Sequence, residues 1–101
     1  MKILLLGSAG MLGTAIYAEG KHRGVEVLDV DVVDAQIILD ISNANELTRL
    51  IEQEKPDVII NTAAITSLDI CENNPGLAYM VNARPVAIMA SLCKRLGIYL
   101  I

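Results

Sequence analysis

The sequence has no tryptophan, no phenylalanine and only three tyrosines among its 101 residues. Any core it builds is therefore aliphatic, drawn from Ile, Leu, Val and Ala. Its lysines and arginines are few and scattered, and the net charge is −4. That balance argues against a nucleic-acid phosphate footprint. No apolar run approaches the ~20 residues of a membrane span. The short apolar stretch behind Lys2 is too brief for the h-region of a signal peptide. Cys71 and Cys93 follow neither a metal-ligand spacing nor a disulfide framework, and they read as reduced thiols of a cytoplasmic protein. The one histidine, His22, sits in the polar stretch Gly20–Gly24 and reads as a solvated turn residue.

What the chain does have is a glycine pattern in a telling place. An apolar run, Ile3–Leu6, leads directly into Gly7-x-x-Gly10-x-x-Gly13. Strand, glycine turn and helix start in that order build a pocket for a dinucleotide pyrophosphate. Gly7 permits the tight turn off the strand. Gly10 lets backbone approach the phosphates without a Cβ in the way, and Gly13 lets the helix pack close to the sheet. Amides around Gly10, Met11 and Leu12 point at the anion, and the helix dipole reinforces them.

Further along, hydrophobic periodicity predicts strands over Lys2–Leu6, Val25–Val30, Ile37–Leu39, Val58–Ile60 and Ile98–Ile101. Helices are expected over Met11–Glu19, with Leu12, Ile16 and Ala15 toward the sheet, and after a Ser42 or Asn43 cap, with Leu47, Leu50 and Ile51 inward. Gly20 and Gly24 punctuate the first helix, and Lys55-Pro56 ends the second. The stretch 61–74 reads as a polar connection. Pro75–Leu96 is helical, with Pro85 producing a kink or a junction near Asn82–Arg84. Strands alternating with helices predict an α/β fold: a Rossmann-like parallel sheet with helices on both faces. The chain stops inside an apolar strand. It therefore reads, over 1–101, as the N-terminal part of a NAD(P)-binding domain, with the rest of that domain and a substrate domain beyond it.

Several residues fall where a dinucleotide would be held. Asp29, with Val30 beside it and Asp31 as the alternative, stands about 20 residues past the glycines, where a carboxylate accepts the adenosine ribose hydroxyls. Val32 and Val33 supply no guanidinium for a 2′-phosphate, which modestly favours NAD over NADP, with Arg23 or Lys21 left as a source of positive charge. Asp40 and Ile41 suit an adenine ring, although Asp40 equally suits a turn before the helix cap. Ala63 and Ala64 are small enough for a ligand to lie on backbone, Ile65 and Thr66 reach the nicotinamide side, and Asn61 is placed to tie strand ends together. Tyr17 and Lys21 have the Tyr-x-x-x-Lys spacing of a reductase acid/base pair. They lie at the far end of the helix, ~10–15 Å from its phosphate end, and read as packing and surface charge.

These motifs, with Leu28-Asp29-Val30, Leu39-Asp40-Ile41-Ser42, Pro56–Ala64, Asp69, Glu72, Pro75 and Val81-Asn82-Ala83, resemble the extended short-chain dehydrogenase/reductases, most of all the dTDP-4-dehydrorhamnose reductase family. Thr62 stands where that family commonly has Ala. The resemblance covers the whole chain but only about the first third of such a protein. It implies that Gly10, Met11 and Leu12 hold the pyrophosphate, Asp29 the ribose, and Asp40 and Ile41 the adenine. It places Ala64, Ile65 and Thr66 by the nicotinamide and makes Asn82 a structural residue near the site. It further implies NADP or NAD as cofactor, a nucleotide-sugar substrate whose keto group is reduced, and catalytic residues beyond Ile101. It admits a homodimer. A non-catalytic dinucleotide-binding regulatory subunit, such as that of methionine adenosyltransferase, and a nucleotide-sugar epimerase or dehydratase remain open alternatives.

Overall fold

The computed structural model describes residues 1–63 and 72–101. Among them are five strands: β1 (Lys2–Leu6), β2 (Glu26–Asp31), β3 (Ile37–Ile38), β4 (Val58–Asn61) and β5 (Tyr99–Leu100). They form one sheet in the order β3-β2-β1-β4-β5, and every neighbouring pair is parallel. Helix α1 (Met11–His22) joins β1 to β2, and α2 (Ala44–Glu54) joins β3 to β4. Helix α3 (Pro75–Ala78), a π-helical turn (Tyr79–Ala83) and α4 (Arg84–Leu96) run consecutively and lead into β5. The expected Rossmann-like order is thus present, with strand ends shifted by a residue or two.

Strand register sorts side chains onto the two faces. Leu4 pairs with Leu28 and Ile59, and Leu6 with Val30. Their face packs against Leu47, Leu50 and Ile51 of α2 and Met89, Leu92 and Cys93 of α4, forming one aliphatic core. Leu5, Val27 and Asp29 lie on the opposite face, where α1 crosses β2. With no large aromatic to fill gaps, the fully buried Leu4, Leu5, Leu6, Leu47, Ile51, Ile59 and Met89 carry the burial. Each contributes about 1.5–3 kcal/mol of transfer free energy.

Helix α1 departs from expectation in two ways. It continues through Gly20 to His22, with Arg23 as C-cap and Gly24 at φ +71° beyond it. Gly20 is a packing glycine, not a terminator: a Cβ there would stand 2.6 Å from Val27 Cγ2. His22 accordingly ends the helix. Leu12 is 61% exposed and Ala15 is exposed, while Gly13 is the buried residue of α1 and Ile16 is half-buried.

Helix α2 follows its sequence signals. The Asn43 side chain accepts the Glu46 amide at 3.2 Å, and Lys55 closes the helix in the left-handed region at φ 45°. At the π turn, Arg84 N–H donates to Tyr79 O, five residues back. Pro85 has no N–H to continue a regular ladder and its ring needs room. The expected interruption is therefore taken up without breaking the rod. Pro75–Leu96 is long and apolar enough to cross a membrane by length and composition, contrary to the reading of the sequence. Its residues Pro85, Met89, Leu92 and Cys93 are buried, the last three within the core, and Arg84, Lys94 and Arg95 interrupt it.

Candidate functional site

The carboxyl ends of β1, β2 and β4 open onto a cleft of about 340 Å3, lined by Gly7, Gly10, Val30, Asp31, Val32, Leu39, Asp40, Ile41, Thr62, Ala63 and Val81. A cleft at that edge is where open parallel sheets bind ligands.

Its upper wall is the β1–α1 turn. Gly7 has φ +83°, and a Cβ on it would meet Ala63 N at 2.6 Å and Thr62 Oγ1 at 2.7 Å. A Cβ on Gly13 would overlap the Gly7 carbonyl oxygen and crowd Ser8 Cα at 2.8 Å. Gly13 thus brings α1 against the turn itself, not against the sheet. Gly10 differs from both. Among the described residues a Cβ there would find only Gly7 O, at 3.4 Å, and its backbone (φ −75°, ψ 174°) suits any residue. The fold does not require glycine at position 10.

Hydrogen bonds hold the turn from several sides. Gly7 and Ser8 amides both donate to Val30 O, at 2.9 and 3.2 Å, and the Gly10 amide donates to Gly7 O at 3.2 Å. The Thr14 hydroxyl donates to Gly10 O at 2.7 Å and lies 3.2 Å from Ser8 O. The Thr62 hydroxyl lies 2.8 Å from Leu6 O and 3.1 Å from Gly7 O, bridging β4 to β1. The carbonyls of Leu6, Gly7 and Gly10 are thereby engaged. The amides of Met11, Leu12 and Gly13 have no acceptor among the described residues, as the first turn of a helix requires. Unused donors at the positive end of a helix dipole attract an anion. Ser8 Oγ, within the turn, is buried and has no partner among the described residues.

The two aspartates of β2 separate clearly. Asp29, the favoured ribose ligand from the sequence, does not line the cleft: it is 8% exposed, and its Oδ2 accepts the Gln36 amide at 3.2 Å. Asp31, the alternative, is at the cleft. Its Oδ2 accepts the Ala9 amide at 2.9 Å and its Oδ1 the Val32 amide at 2.7 Å. The reason is height along the strand: both residues share a face, but only Asp31 reaches the sheet's edge.

Asp40 fills the turn role considered for it and stands at the cleft as well. It lines the cleft, and its Oδ1 accepts the Ser42 amide at 2.9 Å and the Ser42 hydroxyl at 2.8 Å. Ile41, Val30 and Ala63 line the cleft; the exposed side chains of Met11 and Leu12 do not. Asn61 accepts the Ala63 amide at 3.1 Å, shaping its own loop, so it is Thr62 that ties the strand ends. Ala64, Ile65 and Thr66 lie outside the described residues. Tyr17 and Lys21 sit together on α1, the ammonium 5.7 Å from the ring centroid, and neither lines the cleft. Leu39, Thr62 and Val81 were not singled out as cleft residues in the sequence. Leu39 adjoins Asp40 and was within reach of the motif, whereas Val81 arrives through the π turn.

A family model described as the RmlD substrate binding domain matches residues 1–101, the whole chain. The chain belongs to that family. Among relatives, the dTDP-4-dehydrorhamnose reductase of Burkholderia thailandensis is 35% identical over 97 residues, 96% of this chain and 31% of that protein. The crystal structure of a dTDP-4-dehydrorhamnose reductase from Clostridium acetobutylicum superposes with a TM-score of 0.88 at 38% identity, covering 99% of this chain and 34% of that one. The Bacillus anthracis dTDP-4-dehydrorhamnose reductase, solved in complex with NADP, gives a TM-score of 0.85 at 26% identity over 98% of this chain and 34% of that one. This RmlD-family chain thus spans about a third of the length of the relatives it matches.

Proposed function

We propose that this chain is the cofactor-holding part of an NAD(P)-dependent reductase acting on the keto group of a nucleotide sugar, with dTDP-4-dehydro-L-rhamnose as substrate and dTDP-L-rhamnose as product. The observation that carries the reading is the turn at Gly10. The Gly7 and Gly10 carbonyls are engaged, the amides that follow are unused, and the turn keeps a glycine that its own packing does not demand. Close approach of a diphosphate explains that glycine. The dTDP-4-dehydrorhamnose reductases among its relatives, one of them solved with NADP, support the reaction class.

In this reading the amides of Met11 and Leu12 hold the pyrophosphate. Asp31 takes the place given to Asp29 and faces the adenosine ribose. Asp40, Ile41 and Val32 enclose the adenine, with Ala63 on the path to the nicotinamide. The bound cofactor supplies hydride to the keto carbon; these residues bind and orient it. Val32 and Val33 bring no positive charge to a 2′-phosphate, so NADH is held at least as well as NADPH.

Titration of the protein with NADH and with NADPH, followed by nucleotide fluorescence, tests the reading. Saturable binding of NADH, together with NADH-dependent reduction of the dTDP-keto-sugar, is expected. Absence of binding by either nucleotide would overturn it, and binding without turnover would favour a regulatory subunit.

A further inference from the structure

Asp31 has an arrangement that ribose recognition alone does not require. Each of its carboxylate oxygens already accepts a backbone amide, one from Ala9 in the glycine turn and one from Val32 in the loop after β2. The peptide joining Ser8 to Ala9 is consequently held through its N–H by Asp31 at 2.9 Å, while the Thr14 hydroxyl proton anchors the Gly10 carbonyl two residues on, at 2.7 Å. That peptide lies one peptide unit ahead of the Gly10 N-cap, so fixing it limits how the turn presents the unused Met11 and Leu12 amides. Charge-assisted bonds to backbone amides are the stronger kind, so Asp31 is a better clamp than a neutral side chain would be.

We propose that Asp31 is a positioning residue for the pyrophosphate: through the Ala9 amide it presets the phosphate turn, and so makes the diphosphate and adenosine ends of the cleft one rigid unit. This rests on the dinucleotide reading of the cleft. A carboxylate has about four lone-pair sites, so two remain for ribose hydroxyls after both amides are bonded. Asp31 then acts on the ligand twice, once by contact and once through the turn.

The two roles separate with a truncated ligand. NADH and an NADH analogue lacking the adenosine 2′ and 3′ hydroxyls are titrated against the protein and its Asp31→Asn and Asp31→Ala variants. The analogue cannot use the contact role. The inference expects Asp31→Ala to weaken the analogue by about 10- to 100-fold, the range for one charge-assisted hydrogen bond, with Asp31→Asn between it and the parent. An analogue affinity unchanged by both variants would overturn the brace and leave Asp31 as a ribose ligand only. Amide hydrogen exchange at Ala9 in the unliganded protein gives a second readout. Faster exchange in Asp31→Ala, with the β1 and β4 amides unchanged, supports the brace; an unaltered Ala9 rate refutes it. A parent protein that binds neither nucleotide would defeat the dinucleotide reading, while the Ala9 exchange would still decide whether the brace exists.

Discussion

Replacing Gly10 by aspartate separates what the fold needs from what the ligand needs. Position 10 is the N-cap of α1, with extended backbone at φ −75° and ψ 174°. Aspartate is among the best N-cap residues, exceeding glycine by a few tenths of a kcal/mol. Its charge at the positive helix end adds about 0.3–1 kcal/mol at low salt. Among the described residues the new Cβ meets only Gly7 O, at 3.4 Å. The melting temperature should therefore hold or rise. Binding should collapse, because the carboxylate competes for the amides that would hold the diphosphate. At about 5 Å and an effective dielectric near 20, each phosphate charge is repelled by about 3 kcal/mol, so affinity falls by more than about 100-fold. Thermal melts read the first quantity and NADH fluorescence titration the second. A variant that melts several degrees lower, or one that binds NADH within threefold of the parent, would refute the reasoning.

Gly13→Ala is expected to do the reverse. Its Cβ overlaps the Gly7 carbonyl, and overpacking of this kind costs about 1–3 kcal/mol. At about 4–8 °C per kcal/mol for a domain of this size, a clear fall in the melting temperature follows; an unchanged melt would contradict the packing account. Lys2 offers a pH test. Its ammonium bonds the Glu54 carboxylate at 2.9 Å, which raises it above its ordinary 10.5, and it also donates to Glu54 O at 3.1 Å. A raised lysine stabilises the fold fully below that ordinary value and loses its contribution as pH climbs through the folded one. The melting difference between the parent and Lys2→Gln should thus be constant at neutral pH and shrink above pH 10.5; a difference that grows there would contradict the pairing. Burial likewise raises the Cys93 thiol, so the peptide carrying it should be alkylated much faster in urea than in the native protein, and equal rates would count against that burial.

Much of this architecture was legible because its signals are local. Ile3–Leu6 running into three spaced glycines specifies a buried strand and a turn without reference to the rest of the chain. Leu47, Leu50 and Ile51 mark the inward face of α2 by spacing alone. What escaped depends on distant partners or on geometry finer than periodicity. Gly20 looked like a helix end because the neighbour that explains it, Val27, belongs to the next strand. Asp29 and Asp31 share one face of β2, so alternation could not choose between them; the strand's length did, by carrying Asp31 to the sheet edge. The bridging role of Thr62 was hidden because its hydroxyl partners lie 55 and 56 residues away. Ala64, Ile65 and Thr66, given to the nicotinamide side, fall outside the described residues and stand as proposals.

The most direct test follows the backbone amides of Met11 and Leu12 by two-dimensional NMR during titration with NADH. Diphosphate binding at the glycine turn predicts that these two amides undergo the largest downfield proton shifts in the protein and gain protection from exchange. Amides that remain unmoved while NADH saturates the protein would place the nucleotide elsewhere and contradict the account.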